Sequence, residues 1–226
     1  MSCLHNKNIE RQYDAISYEF DTTRTRIWTS VQDFLKKHQY ISIYPKTLLD
    51  VGVGNGKNII FANSLQYDCI GIDISNNLLD ICKKKDIRVR NKDVLNLDES
   101  FGKFDTIISI ATIHHLENID VQKQAIINMI DCLKNNGHLL ISVWSHEIFD
   151  SIGKNKNDYR KFNVGCNLVE WNSKNSNGDF KSINRFYYIH NYDSFQKMFQ
   201  DIAKVKPISY EIKWEKQNWF CEIHKL

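Results

Sequence analysis

The chain has 226 residues, of which 42% are hydrophobic and 25% are charged, as in an ordinary globular domain and unlike a disordered tail or a fibre. This length suits one well-buried core rather than two independent enzymes, and the net charge of +3 is too small to indicate nucleic-acid binding by itself. The cysteines include no C-x-x-C pair, so they indicate neither a disulfide framework nor a metal site.

Two helical patterns open the chain, at residues 9–20 and 27–37, and we expect a helical cap over residues 1–40. Beyond them, strand-like and helix-like segments alternate, which is typical of βαβ units and a parallel sheet. The predicted strands are residues 47–51, 67–72, 87–90, 104–110 and 138–143, and the helices between them are residues 57–65, 76–84 and 121–133. The pattern favours a single α/β domain spanning residues 1–226.

A polar stretch at residues 151–180 interrupts this alternation. It is rich in Asn, Lys and Gly and has no clear core pattern, so we expect a surface insertion. A helix at residues 192–203 follows, and residues 204–213 and 218–225 can form a closing pair of strands. The chain shows no bilayer-spanning stretch and no secretion signal at its start, so we expect a cytoplasmic or nuclear protein without a membrane partner.

The turn after the first predicted strand reads D-V-G-V-G-N-G and begins at Asp50. Its three glycines, Gly52, Gly54 and Gly56, allow a sharp turn and a close approach of the backbone to a ligand. Lys57 stands where the dinucleotide fingerprint G-x-G-x-x-G has its last glycine, which disfavours an NAD enzyme.

Acidic residues also follow the second and third predicted strands. Asp73 can accept hydrogen bonds from both hydroxyls of a ribose, and Asp93 can accept one from an adenine amino group. In the plainer alternative, the glycines serve only a tight turn and Asp73 caps the helix that begins near Asn76. The turn combined with acids after three strands favours the ligand-binding interpretation.

This combination resembles the class I methyltransferases. The resemblance implies a Rossmann-like α/β fold, with a seven-stranded, mostly parallel sheet and helices on both faces, and S-adenosylmethionine as the cofactor. The residues expected to hold this cofactor are Asp50, Gly52, Gly54, Gly56, Asp73, Asp93 and Ile110.

Several short motifs lie outside the cofactor turn. They are Y-D-A-I-S…F-D-T-T-R…W at residues 13–28, S-I-A-T-I-H-H at 109–115, V-W-S at 143–145, N-L-V-E-W at 167–171, R-F-Y-Y-I-H at 185–190 and N-W-F at 218–220. In this order they resemble the methyltransferases that complete the 5-methoxycarbonylmethyl group on the wobble uridine of tRNA, a module also found fused to AlkB-like hydroxylases. Glu170 stands where that family has a proline, so no catalytic role is assigned to residues 167–171.

The resemblance implies methyl transfer to the carboxylate of 5-carboxymethyluridine in tRNA, which forms a methyl ester. A carboxylate is already ionised near neutral pH. The reaction therefore needs an oriented carboxylate and cationic side chains that bind it, rather than a strong base. This chemistry gives roles to four residues: Arg24, His114, His115 and Arg185. Arg24 is the first candidate for binding the carboxylate, because a guanidinium can do so bidentately.

Each of these residues has a plainer alternative. Arg24 can form a salt bridge that fixes the N-terminal helices, and Arg185 can neutralise a phosphate or contact no ligand. His114 and His115 can belong to a polar loop, with one imidazole capping the next helix; we expect at least one of them to serve the site. The sequence leaves open which of the two faces a substrate.

Aromatic side chains can stack an unpaired base, and we expect one or two of six candidates to contact RNA. These candidates are Trp28, Trp144, Trp171, Tyr187, Tyr188 and Trp219.

The short strand predicted from Ile87 to Arg90 would lie at an exposed sheet edge in the strand order of this class, and such an edge invites pairing with another chain. The resemblance implies that a small zinc-binding activator subunit docks there. Three other functions remain open: a methyltransferase of small molecules, a noncatalytic scaffold with the same fold, and the disfavoured NAD enzyme.

Overall fold

A central sheet organises the chain, for which the computed structural model describes residues 2–39, 44–147, 162–174 and 180–226. The strands β1 to β9 are Thr47–Val51, Asp68–Asp73, Val89–Asn91, Phe104–Ile110, Leu133–Trp144, Gly165–Lys174, Phe180–Ile189, Ile208–Glu215 and Asn218–Lys225. Seven of them form one sheet in the order β3-β2-β1-β4-β5-β9-β8. Strand β9 is antiparallel to both neighbours and the other pairs are parallel, so the predicted sheet is confirmed.

Helices cover both faces of the sheet because successive strand residues point to opposite sides. The helices α1 to α6 are Ser2–Thr23, Thr29–His38, Lys57–Ser64, Asn76–Lys84, Ile119–Asp131 and Tyr192–Ala203. On β1, Leu49 packs in the core beneath α5 and α6, whereas its neighbour Leu48 packs beneath α2, α3 and α4. Both side chains are fully buried, and the prediction of helices on both faces is confirmed.

Helix α1 lies across the edge at which the parallel strands end. The hydroxyl of Tyr13 lies 2.6 Å from Nε2 of His115, which follows β4. The Ser75 hydroxyl, just after β2, donates to Asp14 at 2.6 Å. Helix α2 packs on a face of the sheet instead, where it buries Val31 and Phe34. Of the two helices predicted as a cap, α1 is therefore the one that covers the carboxyl edge.

The boundaries of several elements differ from the predicted ones. Strand β3 occupies Val89–Asn91 rather than residues 87–90, because Ile87 packs beneath the glycine turn instead of pairing with β2. Helix α5 begins two residues earlier than predicted, since the Asn118 side chain accepts a hydrogen bond from the Val121 amide at 3.0 Å and caps it. Within the described residues, no helix has the length and apolar character needed to cross a membrane.

Strands β6 and β7 form a separate antiparallel pair that the sequence did not predict. Strand β6 lies inside the stretch predicted as a surface insertion, and the rest of that stretch falls largely outside the described residues. The pair joins the main sheet through a bridge between Ser145 and His190. It also contacts the segment after β4, where Nδ1 of His115 lies 2.8 Å from the Phe186 carbonyl. This pair therefore forms a wall beside the carboxyl edge of the sheet.

Candidate cofactor and substrate site

The glycine turn after β1 has a backbone that only glycine adopts readily. Gly52, Gly54 and Gly56 have φ values of 75°, 55° and 81°, in the left-handed region that other residues rarely occupy. A Cβ at Gly52 would also lie 2.2 Å from the Thr112 hydroxyl oxygen. The turn thus packs directly against the segment after β4, and its exposed backbone is left for a ligand.

Asp73 is held in place at the end of β2 by backbone donors. Its two carboxylate oxygens accept hydrogen bonds from the amides of Gly54 and Ser75, each at 3.0 Å. The N-cap of α4 is Ser75, whose hydroxyl accepts from the Leu78 amide, so the alternative role of Asp73 as the helix cap is wrong. Carboxylate oxygens have further lone pairs, which remain suited to ribose hydroxyls.

Asp93 and Ile110 stand at the ends of β3 and β4. The Asp93 carboxylate accepts from the Leu95 amide at 2.9 Å. Both residues line the same cavity as Asp73. The acids predicted after β2 and β3 therefore come together at one edge of the sheet.

Asp50 differs from the other acids because it lies beneath the turn. The residue is fully buried, and neither carboxylate oxygen has a hydrogen-bond partner among the described residues. Burial raises the pKa of Asp50 to about 7; nearby Asp73 adds to this, and Asn58 and Lys57 partly offset it. A buried carboxylate of this kind is unfavourable when ionised, and a cationic ligand nearby would stabilise it.

We predict that Asp50→Asn raises the free energy of unfolding at pH 8. Unfolding returns Asp50 from a pKa of about 7 to its ordinary value of 3.8, so the folded carboxyl keeps a proton that the unfolded chain releases between these values. The penalty in the native chain is therefore complete above pH 7 and disappears as the pH falls towards 4. The gain should reach up to about 4 kcal/mol, because a tenfold change in proton affinity corresponds to about 1.4 kcal/mol.

Urea unfolding of the native chain and the variant at pH 5 and pH 8 would check this. Asp105→Asn is the matched control. Burial opposes ionisation there too, but the hydrogen bond from Lys134 leaves the pKa of Asp105 below its ordinary value. That substitution should lower the free energy of unfolding at pH 8. Equal stability of Asp50→Asn and the native chain at pH 8 would contradict the assignment of Asp50 as a strained carboxylate.

A cavity of about 650 Å³ lies between α1, the glycine turn and β7. Most of the predicted site residues line it, namely Gly52, Gly54, Asp73, Asp93, Ile110, Arg24, His114, His115 and Arg185. Asp50 and Gly56 are outside this lining: Asp50 lies behind the turn, and Gly56 faces Ile87 and Cys82. The cavity has the size of an ordinary cofactor or ligand pocket.

The two adjacent histidines after β4 are both buried, but they have different hydrogen-bond partners and carry their protons on different ring nitrogens. The Trp144 amide donates to Nδ1 of His114 at 3.1 Å, so the neutral ring carries its proton on Nε2, which is buried without a partner among the described residues. Nδ1 of His115 donates to the Phe186 carbonyl, which leaves Nε2 to accept from Tyr13. His114 therefore offers a hydrogen-bond donor, whereas both ring nitrogens of His115 are engaged.

Neither histidine is suited to act as a base. Burial lowers the pKa of His114 well below its ordinary value, and His115 and His190 add to this effect. Burial also lowers the pKa of His115 to about 3. Both rings are thus neutral near pH 7, and His115 serves to join α1 to β7.

Arg185, on β7, is a buried guanidinium between two aromatic rings. Its Cζ lies 4.5 Å from the ring centroid of Trp171 and 5.1 Å from that of Tyr187. The residue is 4% exposed, and its Nε has no hydrogen-bond partner among the described residues. Arg24 lies on the same Trp171 ring, with its Cζ 4.9 Å from the centroid. The two predicted cations thus converge on one ring, Arg24 from the segment just after α1 and Arg185 from β7.

The aromatic candidates for base stacking differ in their surroundings. Trp144 is stacked against Tyr187, with centroids 4.1 Å apart, and against Phe162 at 6.1 Å. Trp219 is buried outside the cavity lining, and its Nε1 donates to Glu147 at 3.1 Å. Trp28 lines the cavity and packs edge-on against Phe220. Trp219 therefore stabilises the end of the sheet.

Tyr13 belongs to the N-terminal motif at residues 13–28, but its sequence pattern predicts no role for it in the site. Burial raises the pKa of the Tyr13 hydroxyl well above its ordinary value. The protonated hydroxyl therefore donates to His115 across the cavity wall. A contact between residues so distant in the chain has no local signal in the sequence.

Residues 21–204 match a family model described as a methyltransferase domain. The chain belongs to this family. An Arabidopsis thaliana protein named tRNA (carboxymethyluridine(34)-5-O)-methyltransferase is 38% identical over 66% of this chain and 35% of its own length. A Xenopus tropicalis protein of the same enzyme name is 36% identical over 71% of this chain and 24% of its own. The chain spans about a third or less of these relatives, whose name matches the family that the sequence motifs resemble.

Three further proteins match over most of the chain. A putative methyltransferase from Encephalitozoon cuniculi is 27% identical over 88% of both chains. The solved CcbJ methyltransferase from Streptomyces caelestis superimposes with a TM-score of 0.69 over 98% of both chains at 10% identity. The complex of DhpI with SAH superimposes with a TM-score of 0.67 at 11% identity, over 97% of this chain and 96% of that one. These structures confirm the class I methyltransferase fold.

Proposed function

We propose that this chain transfers a methyl group from S-adenosylmethionine to the carboxylate of 5-carboxymethyluridine at the wobble position of tRNA. The product is the methyl ester, 5-methoxycarbonylmethyluridine. The single observation that carries the choice of a carboxylate is Arg185, a buried guanidinium beside the cofactor turn whose Nε lacks a partner among the described residues. The name of the Arabidopsis and Xenopus relatives supports the tRNA substrate.

The carboxyl edge of the sheet fits S-adenosylmethionine. Asp73 is oriented by two backbone amides and is suited to accept from the ribose hydroxyls, while Asp93 at the next strand is suited to the adenine. The carboxylate of Asp50, which has no hydrogen-bond partner among the described residues, provides negative charge behind the turn, on the side where a cationic cofactor is stabilised. When bound, S-adenosylmethionine supplies an electrophilic methyl group on a sulfonium.

The substrate carboxylate would be held by N–H donors. Arg185 offers its Nε–H, and His114 offers Nε2–H as a neutral donor. Buried donors without partners are unfavourable until an acceptor arrives, and an anion fits this set. Because the carboxylate is ionised near neutral pH, it attacks without a base, which agrees with the lowered pKa of both histidines. Catalysis then rests on orientation and charge stabilisation.

The cavity mouth is suited to RNA. Several cationic side chains line the cavity besides Arg185, namely Arg24, Arg26, Lys57, Lys92 and Lys216. Cations of this kind bind backbone phosphates without reading sequence. We propose that Arg24 either contacts a phosphate, like this group, or makes a second contact with the substrate carboxylate. The second role is open to it because it packs on the same Trp171 ring as Arg185.

We also propose that a second chain, a small zinc-binding activator, adds to the free edge of β3. This strand stands at one end of the seven-stranded order, and Arg90 and Asn91 within it are exposed. An exposed strand edge accepts a further strand through backbone hydrogen bonds. We place the reaction in the cytoplasm or nucleus. Fully active, monodisperse protein purified without any partner would contradict an obligatory subunit.

The decisive experiment for the activity is mass spectrometry of nucleosides from tRNA. A tRNA bearing 5-carboxymethyluridine is incubated with the chain, the candidate activator and S-adenosylmethionine labelled in its methyl group. We expect label in a wobble nucleoside, from which mild base should release the labelled methyl group as methanol. A matched tRNA with unmodified uridine should carry no label. Label on a ring nitrogen would reject the carboxylate as the acceptor, and label only on a free metabolite would reject tRNA.

A further inference from the structure

A second cluster of polar side chains lies on the sheet face covered by α2, outside the cavity described above. It consists of His38, His138 and Glu222, whose nitrogen and oxygen ligand atoms all lie within 4.8 Å of one another. His38 ends α2, His138 lies on β5, and Glu222 lies on the neighbouring strand β9. Three separate elements thus bring metal-ligand groups to one point.

Strand register explains how the cluster forms. His138 pairs with His224, and Glu222 stands two residues before His224 on β9, so all three side chains point to the same face. Helix α2 packs on that face through Val31 and Phe34. Its last residue, His38, is 7% exposed and lies with Nε2 2.8 Å from the Glu222 carboxylate.

One polar atom of the cluster has no partner in the part of the chain that the structure describes. Nδ1 of His138 is buried and makes no hydrogen bond within the described residues. A buried nitrogen without a partner is costly, and it needs either a proton donor or a cation. His138 is not among the described residues that line the methyltransferase cavity.

We infer that His38, His138 and Glu222 form a binding site for Zn²⁺ that fastens α2 to β5 and β9. Two imidazoles, a carboxylate and one water make a tetrahedral set that zinc accepts. In such a set the ligand atoms stand roughly 3.3 Å apart, from bonds of about 2.0–2.1 Å. The pair His38–Glu222 is already at 2.8 Å, and the remaining separations close by rotation of the side chains.

Two contacts must change when the metal binds. The His38 and His138 rings are stacked, with centroids 3.7 Å apart and planes at 23°, so one imidazole must turn for both nitrogens to point at a shared ion. The ammonium of Lys37 lies 2.6 Å from the same Glu222 oxygen, but its side chain is 60% exposed and is free to swing into solvent. Lys37 therefore competes with the metal.

The ligands are of suitable types and the site is accessible. Metal binding needs a neutral imidazole and an ionised carboxylate, and the Glu222 carboxylate already accepts hydrogen bonds from Lys37 and His38. Glu222 also lines a second cavity of about 260 Å³, whose other charged residues are Asp33, Glu211, Lys37 and Lys213. This cavity gives a cation a path to the Glu222 carboxylate, along which the acids outnumber the lysines.

The test is calorimetric titration of the whole chain, freed of metal by chelator, with zinc chloride alone. We expect one equivalent to bind, with a rise in Tm, and at least tenfold weaker binding by His138→Asn and by Glu222→Gln. His224→Asn is the matched control, since its ring stacks on His138 at 4.7 Å but lies outside the ligand set; it should bind zinc like the native chain. Lys37→Met should bind zinc more tightly.

Absence of zinc binding by the native chain would overturn the inference. So would unchanged binding by Glu222→Gln, a nearly isosteric variant that keeps the fold even if His138→Asn does not. Weaker binding by Lys37→Met would also contradict it, because the removal of a competing cation must favour the metal.

Discussion

Asp73→Ala is expected to lower the affinity for S-adenosylmethionine by at least about 100-fold. The ribose of the cofactor would lose two hydrogen bonds to a charged acceptor, each contributing about 1.5–3 kcal/mol, and about 2.7 kcal/mol corresponds to a factor of 100. The substitution also removes the two bonds that Asp73 accepts from Gly54 and Ser75, so the turn loses part of its preorganisation. Both effects act in the same direction.

Calorimetric titration with S-adenosylmethionine measures this loss. Asp98→Ala is the matched control, because Asp98 also accepts a backbone hydrogen bond, from the Ser100 amide at 2.9 Å, but is exposed and outside the cavity lining. Its affinity should equal that of the native chain. If Asp73→Ala bound the cofactor normally while keeping its circular dichroism spectrum, the cofactor site would have to lie elsewhere.

The parts of the fold that follow from local patterns were predictable. The alternation of strands and helices, the strand β1 and the glycine turn all follow from residues within one short stretch, because backbone conformation and apolar periodicity are local. The end of β2 at Asp73 was placed to within one residue. Local propensity thus sufficed to locate the cofactor edge.

The β6–β7 pair was not predictable from the same patterns. On β6, Leu168 is 70% exposed while its neighbour Val169 is 9% exposed. Because both residues are apolar, the sequence lacks the alternation of polar and apolar residues that predicts a half-buried strand. Strand β6 is instead fixed by its pairing with β7, in which Trp171 stands opposite Ile183. That pairing is decided by tertiary contacts that a single strand does not encode.

The roles of the substrate-site residues were predicted only in part. His114 and His115 are adjacent and equivalent in sequence, yet one remains a free donor and the other is fully engaged, because their partners come from Trp144, Tyr13 and Phe186. The order of preference between Arg24 and Arg185 also changes. Arg185 is the buried cation, and we now expect it to make the principal contact with the carboxylate.

Arg185→Met is expected to reduce turnover by about 10²–10³-fold, the usual cost of removing one preorganised donor to a reacting anion. The affinity for S-adenosylmethionine should remain within threefold of the native value, because the cofactor acids lie on other strands. Methionine keeps much of the volume between Trp171 and Tyr187, so the packing of the rings is retained. Arg185→Lys should restore little activity, since an ammonium lacks the planar donors of a guanidinium.

The same variant should unfold at an equal or higher temperature than the native chain. A buried charge is costly to keep when its Nε has no partner, as for Arg185 within the described part of the chain. Replacement of a buried charge by an apolar side chain is often neutral or stabilising. Stability and turnover are therefore predicted to move in opposite directions, which distinguishes a catalytic cation from a structural one. Single-turnover methylation of the tRNA, together with thermal unfolding of the same preparation, provides both measurements.

Arg24→Met is the matched comparison because Arg24 approaches the same Trp171 ring but is only half-buried. Its loss should reduce turnover by no more than about tenfold, since partial exposure to water weakens its field at the substrate. If Arg24→Met lost more activity than Arg185→Met, Arg24, just after α1, would have to be the main carboxylate contact rather than Arg185 on β7. If Arg185→Met unfolded at a much lower temperature than the native chain, without a selective loss of turnover, Arg185 would be a structural residue. A cation whose role is to bind the substrate anion should not be needed to stabilise the β6–β7 pair in the free protein.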